Sequence, residues 1–351
     1  MLPLSILDLS PITTDTSGAA ALNNSIDLAG LADRLGYARY WVAEHHNLAS
    51  IASSAPDIMI AMIAGATRHL RVGSGGVMLP NHAPLMVAER FKVLEALFPG
   101  RIDLGIGRAP GTDQITSLAL RRRQDIRDDD DFLDRFQELL LLERHGYPPE
   151  HPFHTVRAMP ADVPLPPIFL LGSSDYSAEL AATVGMGFAF AHHFASHDAA
   201  AAMTSYRRRF KPSVLERPHA ILAVAAVCAD SDADAERLAS TVDLNYVRRS
   251  RGEYLPLASP QAAAACDYTP AERERMRQNR ARLFVGAPTT VRERLLPLIE
   301  ATQADELMIT TMIFDHGARR RSYELLAGAF ALPRPADDPG TAVAPPNRMT
   351  P

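Results

Sequence analysis

The sequence predicts a (β/α)8 TIM barrel with insertions, on three observations. Short apolar runs of strand length alternate with amphipathic helical runs along the chain, the pattern of a parallel sheet. The strands so read number eight, which favours closure into a barrel over an open doubly wound sheet. No composition break divides residues 1–332, so the 351-residue chain reads as one large domain with insertions at 112–127 and 250–285. A Pro-, Asp- and Ala-rich tail at 333–351 has the composition of disorder.

The elements follow in order. Leu4 to Leu9 is a strand reaching Asp8 at its end, and Leu22 to Leu35 is a helix stopped by Gly36. Tyr40 to Ala43 is a strand running into Glu44, His45 and His46. A loop of small residues leads to Pro56, which opens a helix carrying Ile58, Met59, Met62 and Ile63. Val72 to Leu79 is a strand interrupted by Gly73, Gly75 and Gly76. Glycines weaken a strand interior, so they predict a bulge or a surface against which a ligand lies on bare backbone. Pro84 suits a first helical turn, and Val87, Phe91, Leu94 and Leu97 keep helical spacing up to Gly100. Ile102 to Gly107 is the next strand, with Arg108 at its exit.

After the 112–127 excursion, Asp128 to Asp131 open a helix ending near Arg144, acids at the front and bases behind, as the helix dipole prefers. Ile168 to Leu171 is a strand meeting Gly172, Ser173 and Ser174; a helix follows to Val184. Gly187 to Ala191 is a strand ending at His192 and His193, and Ser196 to Phe210 a helix. Ala220 to Ala229 is a strand, and Asp232 to Arg249 a helix. Residues 250–285 are mixed, with a charged helical patch over Ala271 to Leu283. A helix opens at Gly286 to Thr289, Glu306 to Ile313 is the last strand, and Arg319 to Phe330 the last helix.

Composition excludes several classes. Net charge is −5 with both signs scattered, which favours neither nucleic acid nor an anionic membrane. The two cysteines, Cys228 and Cys266, fit no metal or redox spacing and suit a reduced, cytoplasmic setting. The N-terminus lacks the basic start of a signal peptide, and no apolar run approaches the ~18 residues of a membrane span.

A barrel brings the C-terminal ends of all its strands to one face, where Asp8, His45, Gly75, Arg108, Ser173, Ser174 and His193 would converge. Gly105 to Gly111 has a superficial likeness to a dinucleotide fingerprint but carries Pro110 at the third glycine and no immediate helix. His45 and His46 are adjacent, so regular strand aims at most one into the mouth, and no further ligand stands at metal spacing. Ser173, Ser174 and Ser177 surround a helix start. Ser174 alone would serve as an N-cap, whereas Arg108 at the neighbouring strand end turns the group toward a phosphate.

These pieces resemble the bacterial luciferase-like flavin-dependent monooxygenase family. The likeness rests on WVAEHH at 41–46, RVGSGGVMLPNHAP at 71–84, GRIDLGIGRAPG at 100–111, LLGSSDYSAELAATVG at 170–185 and FVGAPTTVRERL at 284–295. The resemblance implies reduced FMN delivered by a separate flavin reductase, O2 as co-substrate, and oxygenation of a small organic substrate through a flavin hydroperoxide. It places a non-prolyl cis peptide at Gly75-Gly76 beneath the flavin ring. The phosphate falls on Arg108, Ser173, Ser174 and Ser177, and His45 is the active-site histidine. Asp8, His46 and His193 would line the substrate pocket. The helix pair around Ile58–Ile63 and Val87–Leu97 implies a homodimer interface, and 250–285 a mobile lid. Gly107 and His192-His193 depart from the light-emitting members, which argues against light emission and a long-chain aldehyde. Alternatives are a deazaflavin (coenzyme F420)-dependent oxidoreductase on the same barrel, and a non-catalytic flavin-binding protein.

Overall fold

A closed ring of parallel strands forms the centre of the computed structural model, which describes residues 2–121 and 131–335. The ring runs β1 (Leu4–Asp8), β2 (Arg39–Val42), β3 (Arg71–Ser74) with its continuation β4 (Val77–Met78), and β5 (Ile102–Gly107). It continues through β6 (Ile168–Gly172), β7 (Gly187–Ala191) and β8 (Ala220–Cys228), and β10 (Glu306–Thr310) pairs with both β8 and β1 to close it. The remaining strand, β9 (Leu283–Gly286), lies outside the ring against the far end of β8. Its residues fall at the end of the predicted 271–283 helix. That helix instead stops at Arg280, and the apolar Leu283, Phe284 and Val285 bury themselves in sheet. The predicted (β/α)8 barrel is therefore present, with one strand more than the sequence pattern revealed.

The helices cover the ring. They are α1 (Gly18–Leu35), α2 (Pro56–Ala66), α3 (Pro84–Leu97), α4 (Gln114–Arg121), α5 (Phe132–Arg144), α6 (Asp175–Val184) and α7 (Ala199–Arg209). After them come α8 (Asp232–Ser250), α9 (Pro260–Ala264), α10 (Pro270–Arg280), α11 (Pro288–Thr302) and α12 (His316–Ala329). Their starts are written locally. Side chains of Ser17, Asp198, Ser231 and Asp315 cap α1, α7, α8 and α12, and proline opens α2, α3 and α11. Residues 122–130, which include most of the predicted 128–131 helix start and the end of the 112–127 insertion, lie outside the described residues, as does the tail beyond 335.

Strand alternation sorts the apolar residues into two cores. Leu4, Ile6, Tyr40, Val42, Val72, Ile102, Leu104 and Ile106 face the helices in the main core. Leu7, Trp41, Ala43, Phe169, Ala189, Ile221, Ala223 and Met308 fill the barrel itself. At the N-terminal end the filling turns polar. Asp103 accepts from Arg39 Nη1 at 2.7 Å, Arg71 Nε at 2.9 Å and Trp41 Nε1 at 3.1 Å. Glu306 accepts from Arg39 Nε at 2.9 Å, from His219 Nε2 at 3.3 Å and from the Ser5 hydroxyl. Each buried charge there meets an opposite one, which is the condition for keeping ions in such a place.

Asp8 departs from its predicted place in the substrate pocket. It shares strand parity with Leu4 and Ile6, so its carboxylate enters the helix layer and is fully buried. There Oδ1 accepts from Arg319 Nη2 of α12 at 2.5 Å and from Ser10 N–H at 2.8 Å, and the Tyr40 hydroxyl donates to Oδ2. Burial pushes this carboxyl upward, but the Arg319 charge and its hydrogen bonds prevail and hold it below the ordinary value. Replacing Asp8 by alanine strands the guanidinium. The expected loss is about 3–5 kcal/mol of unfolding free energy, read as a lower urea midpoint at unchanged slope. In the parent protein the Asp8 contribution is whole above the unfolded value of 3.8. It fades as pH falls through the lower folded value.

Candidate active site

The C-terminal mouth is built around a break in one strand. Gly73 pairs with Asp103 and Val77 with Ile106, so four residue steps on the β3–β4 strand oppose three on β5. That is a bulge. At its tip Gly75-Gly76 is a cis peptide. The strands touch backbone to backbone here: a Cβ on Gly76 would stand 2.8 Å from Gly105 O, and one on Gly105 only 2.0 Å from Ser74 O. The Ser74 hydroxyl replaces the interrupted ladder, donating to Gly105 O at 2.8 Å and accepting from Gly105 N–H at 3.0 Å.

Arg108 leaves the end of β5 and lays its guanidinium 4.4 Å over the ring of Tyr176, in the first turn of α6. Ser174 is the N-cap residue of that helix in extended backbone, and its side chain makes no cap bond. Ser177 is buried with its hydroxyl against Gly172, where a Cβ would meet Oγ at 2.4 Å. Asp175, whose charge would oppose an anion, is exposed. Arg108, Ser174 and Ser177 are thus gathered at one helix start, with Ser173 between β6 and that helix.

His45 follows β2 with its side chain half-buried. Its Nδ1 lies 3.1 Å from Gly111 O. A carbonyl only accepts, so Nδ1 carries the proton of the neutral ring and Nε2 keeps its lone pair. His193 repeats the arrangement, with Nδ1 3.3 Å from Ala223 O inside the barrel. His45 lies close enough to His193 to oppose its protonation, as do His192 and Arg282. Burial lowers the pKa of His45 and brings that of His193 to about 4. Both are neutral bases near pH 7.

His46 also departs from the predicted pocket. Its Nε2 bonds Glu44 Oε1 at 2.9 Å on the helix-facing side of β2, because alternation carries Glu44 and His46 away from His45. Glu44, to which the sequence assigns no role, is the fully buried carboxylate that receives His46. Its only signal was a carboxylate between an apolar strand and two histidines.

The 250–285 segment carries α9 and α10. Leu257 exchanges backbone bonds with Ile12 and Thr14 in the loop after β1, at 2.9 and 3.0 Å. The Arg280–Asp243 pair (2.8 Å) pins the segment to α8, and Arg251–Glu272 (2.7 Å) ties its start to α10. Among the described residues, no group of three His, Cys, Asp or Glu side chains is placed to hold a metal, and no helix is long and apolar enough to cross a membrane.

A family model described as luciferase-like monooxygenase matches residues 2–306. The chain belongs to the luciferase-like monooxygenase family. A luciferase-like monooxygenase of Escherichia coli (strain K12) is 45% identical over 322 residues, 92% of this chain and 95% of that protein. The N-acetyl-S-alkylcysteine monooxygenase of Bacillus subtilis (strain 168) is 34% identical, covering 94% of this chain and 98% of its own. Among solved structures, apo-MsnO8 superposes with a TM-score of 0.87 at 39% identity, covering 95% of this chain and all of the other. More distant likenesses show the fold alone. One is the oxygenating constituent of 3,6-diketocamphane monooxygenase from Pseudomonas putida in complex with FMN (TM-score 0.68, 21% identity; 95% and 99% covered). Another is an F420-dependent secondary alcohol dehydrogenase (TM-score 0.67, 11% identity; 93% and 98% covered).

The tight floor of this luciferase-like monooxygenase makes two neighbouring glycines behave differently. Gly105→Ala drives a methyl into Ser74 backbone and is expected to cost at least ~1–3 kcal/mol. Gly107→Ala meets only the end of Met78, whose Sδ can swing aside, and is expected to stay near the parent. Thermal unfolding of the two variants side by side checks the contrast.

Proposed function

We propose that this chain is a monooxygenase that uses reduced FMN, delivered by a separate flavin reductase, and O2 to oxygenate a small organic substrate. One observation carries the reading. The side-chain-free bulge at Gly75-Gly76, the guanidinium of Arg108 against the start of α6, and the Nε2 face of His45 belong to one barrel mouth in a luciferase-like monooxygenase. The residues suit FMN at both ends. Side-chain-free backbone at the bulge suits a flat ring, and Arg108, the Ser173, Ser174 and Ser177 group and the N–H groups of the α6 first turn suit a phosphate. When bound, reduced FMN supplies the two electrons with which O2 yields one oxygen for the substrate and one for water.

The protein does the rest. Arg108 would hold the phosphate, and the bulge would support the ring. His45, neutral with Nε2 free to accept, takes or returns a proton beside the ring. His193 lines the substrate side. The 250–285 segment, anchored on the loop after β1 and on α8, would limit the access of water to the mouth. The name of the Bacillus subtilis relative points to an S-alkylated amino-acid derivative as one kind of substrate for this mouth. Ile58 (63% exposed), Met62, Met86, Val93 and Leu97 (64%) on α2 and α3 leave an apolar face in water, which supports a homodimer through this helix pair.

Anaerobic titration with reduced FMN, followed by mixing with O2, tests the proposal. Arg108→Ala is expected to weaken FMN binding by ~1.5–3 kcal/mol, roughly ten- to hundredfold in Kd; unchanged affinity refutes the clamp. His45→Ala is expected to bind FMN normally and to lose turnover, with the parent's activity falling as pH drops through the lowered pKa of His45. Substrate-dependent turnover without O2 uptake would instead mark hydride transfer.

A further inference from the structure

Glu44 is fully buried and takes no part in the chemistry above. It faces the layer between the barrel and helices α2 and α3, beside a cavity of about 60 Å³ that it shares with His82, Asp57, Arg90 and Phe91. Its two oxygens receive Met78 N–H at 2.9 Å, His82 Nε2 at 2.9 and 3.0 Å, His46 Nε2 at 2.9 Å and Asn81 Nδ2 at 3.4 Å. A carboxylate offers about four lone-pair sites, so these donors saturate it. Burial raises its pKa, yet the bonds from His82, His46 and Met78 outweigh that and keep it ionised.

The donors come from separate loops. Met78, Asn81 and His82 follow the bulge at Gly75-Gly76. His46 adjoins His45. Asn81 passes the connection on by donating to Pro110 O at 2.9 Å, two residues from Arg108. Thr112 Oγ1 returns it to His46 O at 2.9 Å, and His45 itself leans on Gly111 O. The segments that carry floor and base therefore meet at one carboxylate, and the segment of the phosphate clamp joins them through Asn81.

We propose that Glu44 is a positioning residue of this site, whose charge locks the bulge to the loops bearing His45 and Arg108. The lock stands on geometry; its expression in flavin binding rests on the function proposed above. The same charge, one residue from His45, favours protonation of that ring, whereas His46 on its own segment and Arg249 of α8 oppose it. His193 after β7, with a pKa of about 4, adds no charge near pH 7. The Asp57–Arg90 pair (3.3 Å) on the far side of the cavity is internally neutral.

Glu44→Gln keeps the shape and removes the charge, while Glu44→Asp keeps the charge and shortens the reach. The test is a histidine-selective 13C NMR titration of the apo chain together with FMN affinity by equilibrium dialysis, thermal unfolding serving to establish that each variant folds. In Glu44→Gln the His45 midpoint is expected to fall by ~0.5 pH unit or more, moving the acid limb of turnover to lower pH, and FMN Kd to rise roughly tenfold. In Glu44→Asp the midpoint is expected to stay near the parent while FMN binding weakens. A folded Glu44→Gln protein with both values unchanged overturns the proposal. If Glu44→Gln does not fold, Asn81→Ala severs the bridge to Pro110 and leaves three donors on the carboxylate; unchanged FMN affinity there overturns it equally. Should the parent itself fail to bind FMN, the proposed function falls, and the His45 titration still judges Glu44 by itself.

Discussion

The contact between the bulged strand and β5 sets everything at the mouth. Ser74 O lies where any side-chain carbon on Gly105 would sit, and the Ser74 hydroxyl bridges the gap left in the ladder. That closeness is available only to residues without a Cβ, and it brings the exits of β3–β4 and β5 together. Met78 N–H is thereby presented to Glu44, and Arg108 emerges next to the start of α6. Were the strands at ordinary side-chain separation, the carboxylate and the bulge would not meet.

The barrel divides its polar groups between two ends with opposite electrostatic conditions. At the N-terminal end Arg39, Arg71, Asp103 and Glu306 compensate one another's charge. At the C-terminal end His45 and His193 have each committed one ring nitrogen to a carbonyl and kept the other uncommitted. Paired ions hold the ring together at one end, and neutral bases stand at the other. The same division recurs in barrels at large, in which the strands' C-terminal face carries chemistry and the opposite face stability.

Glu44 and Asp8 show how a buried carboxylate acquires opposite uses from similar surroundings. Both lie in the helix layer and both stay ionised because cationic or N–H donors outweigh desolvation. Asp8 meets a guanidinium from the last helix, so it joins the two ends of the chain. Glu44 meets donors from loops on its own side of the mouth, so it ties those loops together.

By itself the sequence determined the alternation of strands and helices, the prolines that open α2, α3 and α11, and the glycine run that marks the bulge. Each of these is a local matter of period, ring constraint or missing Cβ. It also placed His45, Arg108 and the serines of 173–177 near strand exits, since a barrel sends all such exits to one face. It did not tell which way each of those side chains turns. Asp8 and His46 were read into the mouth, but one residue of strand parity sends them into the helix layer, where Arg319 and Glu44 await them. β9 was hidden because a short apolar run after a charged helix has no periodicity of its own and becomes a strand only beside β8. The role of Glu44 depends on partners up to 38 positions away, and only packing brings such partners within hydrogen-bond range.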